Sequence, residues 1–519
     1  MSSQIQEIED ENKYLPQNPW ISCIPVLLAC FIHVMDGTIA NVALPHMAGS
    51  FSATRDESIW ILTSYLIASG IVIPSVDFFS KFFGRKNFYI ISILMFTLAS
   101  FLCGTAKSLG QMVFYRILQG AGGGGIVPLS QAIMMESFPK ERRGTAMAMF
   151  GMGVIIAPII GPILGGWITD NWTWPWIFFI NVPCGCLAAF MAKNLLYNPP
   201  YAQRQKGVKM DWTGFSFLVV WLICLQVFFD KGNNADWFNA TWIRWIFTIS
   251  CLSAAGFFIS QIVRKNTLVD ISVFKNKEFV VGTIIQVVMM AVLYASIAIL
   301  PQFLQSMMGY TAFLSGMSMM PRGLGSMTAM LICALIADKV DKRKMVIFGL
   351  TLIGSAGLIF GFLNLQIATL NIMIPNYLMG MGMGLSMIPI LNLSMETLSN
   401  QQMTNASGLQ NLFKNIGGAI GTSLVATFLT RFAQMHQYMM VGKLSELNPV
   451  FVERVQGTAA QLMKYTGSDV AYHMAQYSQY GALIKQATLW AFIDSFRIFG
   501  ILCFILIPLL FLFKKRKNA

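Results

Sequence analysis

The sequence predicts an all-α polytopic membrane protein with fourteen transmembrane helices, and three observations predict it. Of its 519 residues, 55% are hydrophobic and 11% charged, against about 25% charged in soluble domains. The apolar residues gather into fourteen spans of roughly 20 residues, the length that crosses a hydrocarbon core of about 30 Å. Lysine and arginine then fall in alternate connections between the spans, as the positive-inside rule requires.

The spans run approximately 20–45, 57–80, 87–106, 111–136, 144–168, 175–194, 212–230, 242–263, 280–304, 312–337, 345–364, 372–397, 406–430 and 488–513. One set of connections holds Lys81, Arg85 and Lys86; Lys140, Arg142 and Arg143; Lys193, Arg204, Lys206 and Lys209; Arg264, Lys265, Lys275 and Lys277; and Lys339, Lys342, Arg343 and Lys344. The tail adds Lys514, Lys515, Arg516 and Lys517, while the opposite short connections and span ends hold only Arg55, Lys107, Lys231 and Arg244. Both termini are therefore expected in the cytoplasm. The same clusters account for the net charge of +13, so no nucleic-acid partner is implied.

The tail 1–19 is polar and lacks the basic start of a cleavable signal, so the first span is expected to stay in the protein. The basic loop Lys81-Phe-Phe-Gly-Arg-Lys86 after span two has a counterpart, Asp338-Lys-Val-Asp-Lys-Arg-Lys344, after span ten. That repeat predicts a six-helix half over 20–194, two extra spans over 212–263, and a second half over 280–513. Within the second half, 431–487 is polar and mixed in charge, a long extracytoplasmic loop with stretches such as Pro449 to Met463 able to form short helices. It is either functional or a tolerated insertion.

Span one contains His33-Val-Met-Asp36-Gly-Thr-Ile-Ala-Asn41. A carboxylate placed in a membrane costs about 2.5–3.5 kcal/mol even on insertion scales, which marks Asp36 as a functional candidate. A desolvated carboxyl group gives up its charge more readily, so Asp36 is a candidate proton carrier; the alternative is a structural Asp satisfied by neighbouring helices. His33 is one turn away on the same face, a relay candidate or a packed histidine. Span four carries Arg116-Ile-Leu-Gln119-Gly120, then Gly122 to Gly125, Pro128 and Gln131. Arg116 stays charged at any working pH, so it can bias a facing carboxylate but not carry the proton itself; alternatively it snorkels from the boundary.

Span five is the densest in helix breakers: Gly151, Gly153, Pro158, Gly161, Pro162, Gly165 and Gly166. A membrane helix survives such content because the backbone has no water to turn to. Gly161 and Gly165 stand in small-xxx-small spacing, the pattern of close helix approach. Asn41, Gln119, Gln131 and Arg322 are candidate cavity residues. Asp494 and Arg497 are spaced to pair with each other, and the 34 methionines either deform around unlike ligands or reflect genome composition.

No catalytic or metal set is visible. The nine cysteines lie in or beside apolar spans without a CxxC pair, the four histidines show no zinc spacing, and the Gly run sits in a span rather than a phosphate loop. An enzyme, a metal site and a cofactor are not expected.

These strings together resemble the 14-span drug:proton antiporter group of the major facilitator superfamily, the group typified by EmrB and QacA, with spans four to six closest to EmrB. The matching residues are Asp36 to Pro45, Arg116 to Gly120, Gly161-Pro162 with Gly165-Gly166, the gating loop Gly84-Arg85-Lys86, Trp174 to Pro183, Asp211 to Gly214, and Asn411 to Thr422. Departures are Ala157 where another Gly is usual, Asp77 and Lys81 in the gating loop, and Lys414 where an Arg is common. The resemblance implies a major facilitator fold and a proton-coupled exporter of lipophilic or amphipathic drugs in a bacterial inner membrane. On it, Asp36, Arg116 and His33 couple protons, and 144–168 seals the seam between the halves. It also implies a periplasmic adaptor and an outer-membrane channel as partners, with 431–487 as the docking candidate. A dedicated metabolite or siderophore exporter is the alternative on this scaffold; a proton symporter is disfavoured by the Gly-Pro string.

Overall fold

The computed structural model describes residues 18–138, 143–196, 203–204, 210–264, 268–269, 271–336, 340–395, 398 and 400–513. Every regular element among them is helical. The tail 1–17, parts of the basic connections and the side chains of Asp77 and Glu396 lie outside the described residues.

Span one is α1 (Pro19–Ser50), opened by the Asn18 side chain accepting from the Trp20 N–H, with Pro19 at its first position. Span two is broken: α2 (Trp60–Val72) passes through a 3-10 turn at Ile73–Ser75, where Pro74 removes a donor, into α3 (Val76–Phe83). Gly84 follows with φ +83°, a conformation open to glycine, and turns the chain into α4 (Arg85–Gly104). Span four is also two helices, α5 (Leu109–Gly123) and α6 (Ile126–Ser137), parted at Gly124–Gly125. In α7 (Arg143–Asn171) the helix is continuous across Pro158 and Pro162. A short turn Trp176–Phe179 and α8 (Asn181–Leu195) complete the first six spans.

The extra pair is α9 (Trp212–Gly232) and α10 (Thr241–Val263), which pack on each other. The last six spans are α11 (Lys277–Ser306), α12 (Ala312–Ile336), α13 (Lys342–Phe360), α14 (Thr369–Met395), α15 (Asn400–Val441) and, after a 14-residue helix α16 (Pro449–Leu462), α17 (Ser468–Leu506). Eleven described helices are long and apolar enough to cross a membrane. The other three spans are the two broken ones and α12, which carries Arg322.

The expected loop at 431–487 is mostly helix. No proline interrupts the chain between Asn400 and Pro449, so α15 runs on past the apolar region to Val441. Asn448 and Pro449 start α16, and α17 begins two turns or more before its apolar part. Phe451, Val455, Ala459 and Leu462 of α16 close against Ala475 of α17. His436 and Arg497 both pair with Asp494, at 2.7 and 3.5 Å, so the expected i,i+3 pair is present with a histidine added.

The two sets of six helices repeat each other contact by contact. A Cβ on Gly120 of α5 would meet the Tyr65 carbonyl, and one on Gly124 would lie 2.7 Å from the Ser69 carbonyl. On α14, Gly380 and Gly384 stand in the same relation to the carbonyls of Arg322 and Ser326 on α12. Arg116 Nε donates to the Ile61 carbonyl at 2.9 Å, and Asn376 Nδ2 to the Ser318 carbonyl at 3.1 Å. On α7, Gly161 and Gly165 press on Met35 and Ile39 of α1; on α15, Gly417 and Gly421 press on Val287 and Ala291 of α11. Asp36 therefore has Val288 as its counterpart, Arg116 has Asn376, and Tyr65 has Arg322.

Gly161 and Gly165 of α7 seal α1 to α7 within the first half, while Gly151 faces Met330 and Ile388 of the second half. Contact with the second half comes from the opposite side, where a Cβ on Gly316 of α12 would lie 3.1 Å from the Ile163 Cα and 3.2 Å from the Pro162 carbonyl. Pro162 and Gly166 are buried as well. Even alanine is too large at Gly165, where its Cβ would lie 2.8 Å from Ile39 Cγ1 and 3.0 Å from its carbonyl, whereas at Gly153 the nearest atom is 3.7 Å away. Gly165→Ala is expected to lower the melting temperature of the purified protein by about 1 °C, the shift that roughly 1 kcal/mol gives in a chain of 519 residues, and Gly165→Leu by more. Gly153→Ala should leave it unchanged, and equal melting of the two alanine variants would refute the close approach.

Candidate functional site

Four polar residues that lie 3 to 145 positions apart in the chain meet in the interior of the first half. Asp36 on α1, Arg116 and Gln119 on α5, and Asn181 at the start of α8 are each 0% exposed. Arg116 Nη1 donates to Asp36 Oδ2 at 2.6 Å and to Gln119 Oε1 at 2.8 Å. Gln119 Nε2 and Asn181 Nδ2 donate to Asp36 Oδ1 at 2.9 and 2.7 Å. Asn181 Nδ2 also donates to Ser100 Oγ at 3.1 Å, and Ser100 in turn to the Phe178 carbonyl at 2.9 Å.

The local sequence explains the positions. Arg116 and Gln119 are three apart on α5 and so share a face. Gly120, one residue on, lets α5 approach the Tyr65 carbonyl, which brings α2 beside the same face. The Tyr65 ring lies 4.2 Å from the guanidinium carbon, and the Phe178 ring 5.6 Å. Tyr65 Oη hydrogen-bonds His33 Nδ1 at 2.9 Å, and His33 itself is buried. His33 thus reaches the cluster through Tyr65 and Arg116 rather than by touching Asp36.

Two atoms in this set lack a partner: Arg116 Nη2 and Asn181 Oδ1 are buried without a hydrogen bond. A buried pair with an open donor and an open acceptor is poised to change partners, since each unmade bond costs about 1–3 kcal/mol. Arg116 keeps its charge, so Asp36 and His33 are the members that can take or lose a proton. Snorkelling does not describe Arg116, which is fully buried.

The other candidates lie elsewhere. Asn41 is exposed, its amide turned back 3.5 Å to the Gly37 carbonyl. Gln131 on α6 accepts from Asn411 Nδ2 of α15 at 3.5 Å, a link between the two halves. Arg322 is buried in the second half, where Nε and Nη2 donate to Asn376 Oδ1 at 3.2 and 2.8 Å and Nη1 to Ser296 Oγ at 3.0 Å. In the gating loop Lys86 Nζ donates to the Leu196 carbonyl at 2.7 Å. Among the described residues no group of three His, Cys, Asp or Glu side chains could hold a metal.

Sequence reasoning missed Asn181 and Tyr65 as members of the cluster. Asn181 was legible as a polar residue inside an apolar span, yet its partner could not be read from spacing. Asp230 on α9 was missed too: Oδ1 accepts from Gln226 at 3.1 Å while Oδ2 is buried without a partner.

Removing one partner of a buried ion pair costs about 3–5 kcal/mol because the other charge is stranded. Arg116→Gln should destabilise the purified protein by that order, and Arg116→Gln with Asp36→Asn should recover most of the loss in thermal unfolding. A double variant no more stable than Arg116→Gln would mean that the two groups do not interact.

Residues 26–422 match the profile of the Major Facilitator Superfamily. The probable multidrug resistance protein EmrY of Escherichia coli K12 is 32% identical over 86% of this chain and 87% of its own. The multidrug export protein EmrB of the same strain is 31% identical over 83% and 84%. Among solved structures, a bacterial homologue of the human lysosomal transporter Spinster, inward-facing and unoccupied, aligns with a TM-score of 0.58 at 15% identity over 95% of this chain and 96% of that one, which bears on the fold alone.

Proposed function

Because the chain belongs to the major facilitator superfamily and is a multi-pass membrane transporter rather than an enzyme, we propose that it is a proton-coupled antiporter that exports lipophilic and amphipathic small molecules, drugs among them. The observation that carries the reading is the buried set of Asp36, Arg116, Gln119 and Asn181. A group able to exchange a proton is held there beside a permanent cation, with unused hydrogen-bonding capacity for a second arrangement. Protonation of Asp36 from outside would release Arg116 and Asn181 from the carboxylate; the halves then rock about the centre and the proton leaves to the cytoplasm as substrate moves out. The relatives named for multidrug export support the substrate class.

The same reading places the protein in a bacterial inner membrane with both termini and the basic connections in the cytoplasm. The helical projection formed by the ends of α15 and α17 with α16 then stands in the periplasm. Tyr438, Leu447, Tyr465 and Tyr477 are all exposed on it. Exposed aromatics are enriched at protein interfaces, which supports this projection as the place where a periplasmic adaptor docks.

Asp36→Asn keeps the shape and removes the titration. In inside-out vesicles of a pump-deficient bacterial host it is expected to abolish proton-gradient-driven drug uptake while the protein remains in the membrane at wild-type level; normal uptake would refute the assignment. Replacing 442–467 by a short flexible linker should leave vesicle transport intact and abolish whole-cell resistance together with adaptor co-purification. Undiminished resistance after that deletion would exclude the docking role.

A further inference from the structure

The second half carries buried cations without the acid that balances the first. Val288 stands where Asp36 does, and among the described residues of α11 to α15 the only Glu is Glu278, in the first turn of α11. Arg322 is nonetheless satisfied by Asn376 and Ser296. Lys414 on α15 is not: it is 8% exposed, and among the described residues its ammonium has neither a hydrogen bond nor an ion pair. An ammonium carries three donors and no acceptor, and one left unpaired inside a membrane protein marks a site for a partner absent from the fold.

A second orphan stands beside it. Both side-chain atoms of Gln286 on α11 are buried without a hydrogen bond, and so is Gln410 Oε1 on α15. The packing puts these groups in adjoining layers. Gly282 of α11 presses on Ser394 of α14, and Gln410 Nε2 donates to Ser394 Oγ at 2.6 Å, so residues 282 and 410 share one layer. One helical turn further along the same two helices are Gln286 and Lys414. Gly417 pressed on the Val287 carbonyl keeps the two backbones side by side there. The layer also borders the first half, because Asn411, three residues before Lys414, reaches Gln131 of α6.

We propose that Lys414 and Gln286 form a binding subsite for the anionic head of an amphipathic substrate, a carboxylate or sulfonate whose apolar body lies between the two halves. The proposal rests on the export reading above. An anion accepts from the ammonium and from Gln286 Nε2, giving each unpaired donor an acceptor; charge-assisted bonds of this kind are the stronger class. A lipophilic cation gains nothing there, so the subsite would confer preference by charge rather than capacity to transport.

The test compares two permanently charged probes of one shape, naphthalene-2-sulfonate and naphthyl-2-trimethylammonium, in gradient-driven uptake by inside-out vesicles. Neither titrates, so neither carries protons, and ammonium uptake reports that a variant is folded. Lys414→Met is expected to lower the ratio of sulfonate to ammonium uptake by about tenfold, the loss of one charge-assisted hydrogen bond. Lys414→Arg should hold the ratio within about threefold, since it keeps the charge but not its point geometry. Gln286→Leu should also lower it by about tenfold, the worth of a hydrogen bond to a charged group, and it carries the test if Lys414→Met does not reach the membrane. An unchanged ratio in both Lys414→Met and Gln286→Leu overturns the subsite. Equal loss of both probes in Lys414→Met and Lys414→Arg overturns it in favour of a role in proton coupling. A wild type that moves the ammonium but not the sulfonate overturns it while leaving the export reading intact; one that moves neither refutes the export reading itself.

Discussion

Asp36 and Arg116 are held in a place where neither could be stable alone. A carboxylate and a guanidinium in a water-poor interior each lose several kcal/mol of hydration, and their mutual attraction offsets this only when the remaining lone pairs and protons are also satisfied. Much of the first half can be understood as meeting that condition. α5 supplies Arg116 and Gln119 from one face, α8 supplies Asn181, α2 supplies the Ile61 carbonyl and the Tyr65 ring, and α4 supplies Ser100 behind Asn181. Four helices must therefore converge on α1 within hydrogen-bonding distance, and glycine makes the approach possible. Gly120 and Gly124 bring α5 onto α2, and Gly161 and Gly165 bring α7 onto α1.

The second half uses the same scaffold for different chemistry. Its glycines fall at matching places, so helix positions are conserved between halves while the polar residues have changed. The cation moves from the fifth helix to α12, and an asparagine takes the place of the arginine. With valine at the carboxylate position, this half shows no corresponding ion pair among the described residues. A half built on a buried ion pair, facing a half whose Lys414 is unpaired among the described residues, is an asymmetric transporter core. Its two sides meet through α7 against α12 and through α6 against α15.

Much of this was legible in the sequence, and for definite reasons. Membrane spans announce themselves because lipid forbids unsatisfied backbone, so apolar runs of the right length are helices. Asp36, Arg116 and Gln119 stood out because polar residues in such runs are costly. The glycine spacing of α7 signalled close approach, but not which helix would approach: α7 does lie against α12 of the second half, with Gly151 on Met330, yet Gly161 and Gly165 face α1. In the segment 431–487 the helix-forming stretch Pro449 to Met463 is present as α16, but the sequence did not mark 431–441 and 468–487 as extensions of the neighbouring helices, because their polarity was taken for irregularity. A helix that leaves the bilayer has water for its side chains and no reason to end until a proline or a cap stops it.

The sequence by itself determined the class and the residues too expensive to be idle, since both follow from transfer energies that each residue carries alone; on the same ground it carries the expectation of fourteen spans with both termini in the cytoplasm. Tertiary structure decided the pairings. Asn181 and Asp36 are 145 residues apart, and Tyr65 reaches His33 across 32; no periodicity in the chain encodes such a meeting. It decided as well which cations are satisfied. Arg322 and Lys414 look alike as charges in apolar spans, yet Arg322 finds Asn376 and Ser296 while Lys414 finds none among the described residues. A lone pair can be satisfied only by a particular atom within about 3 Å, and only the folded packing of helices brings that atom there.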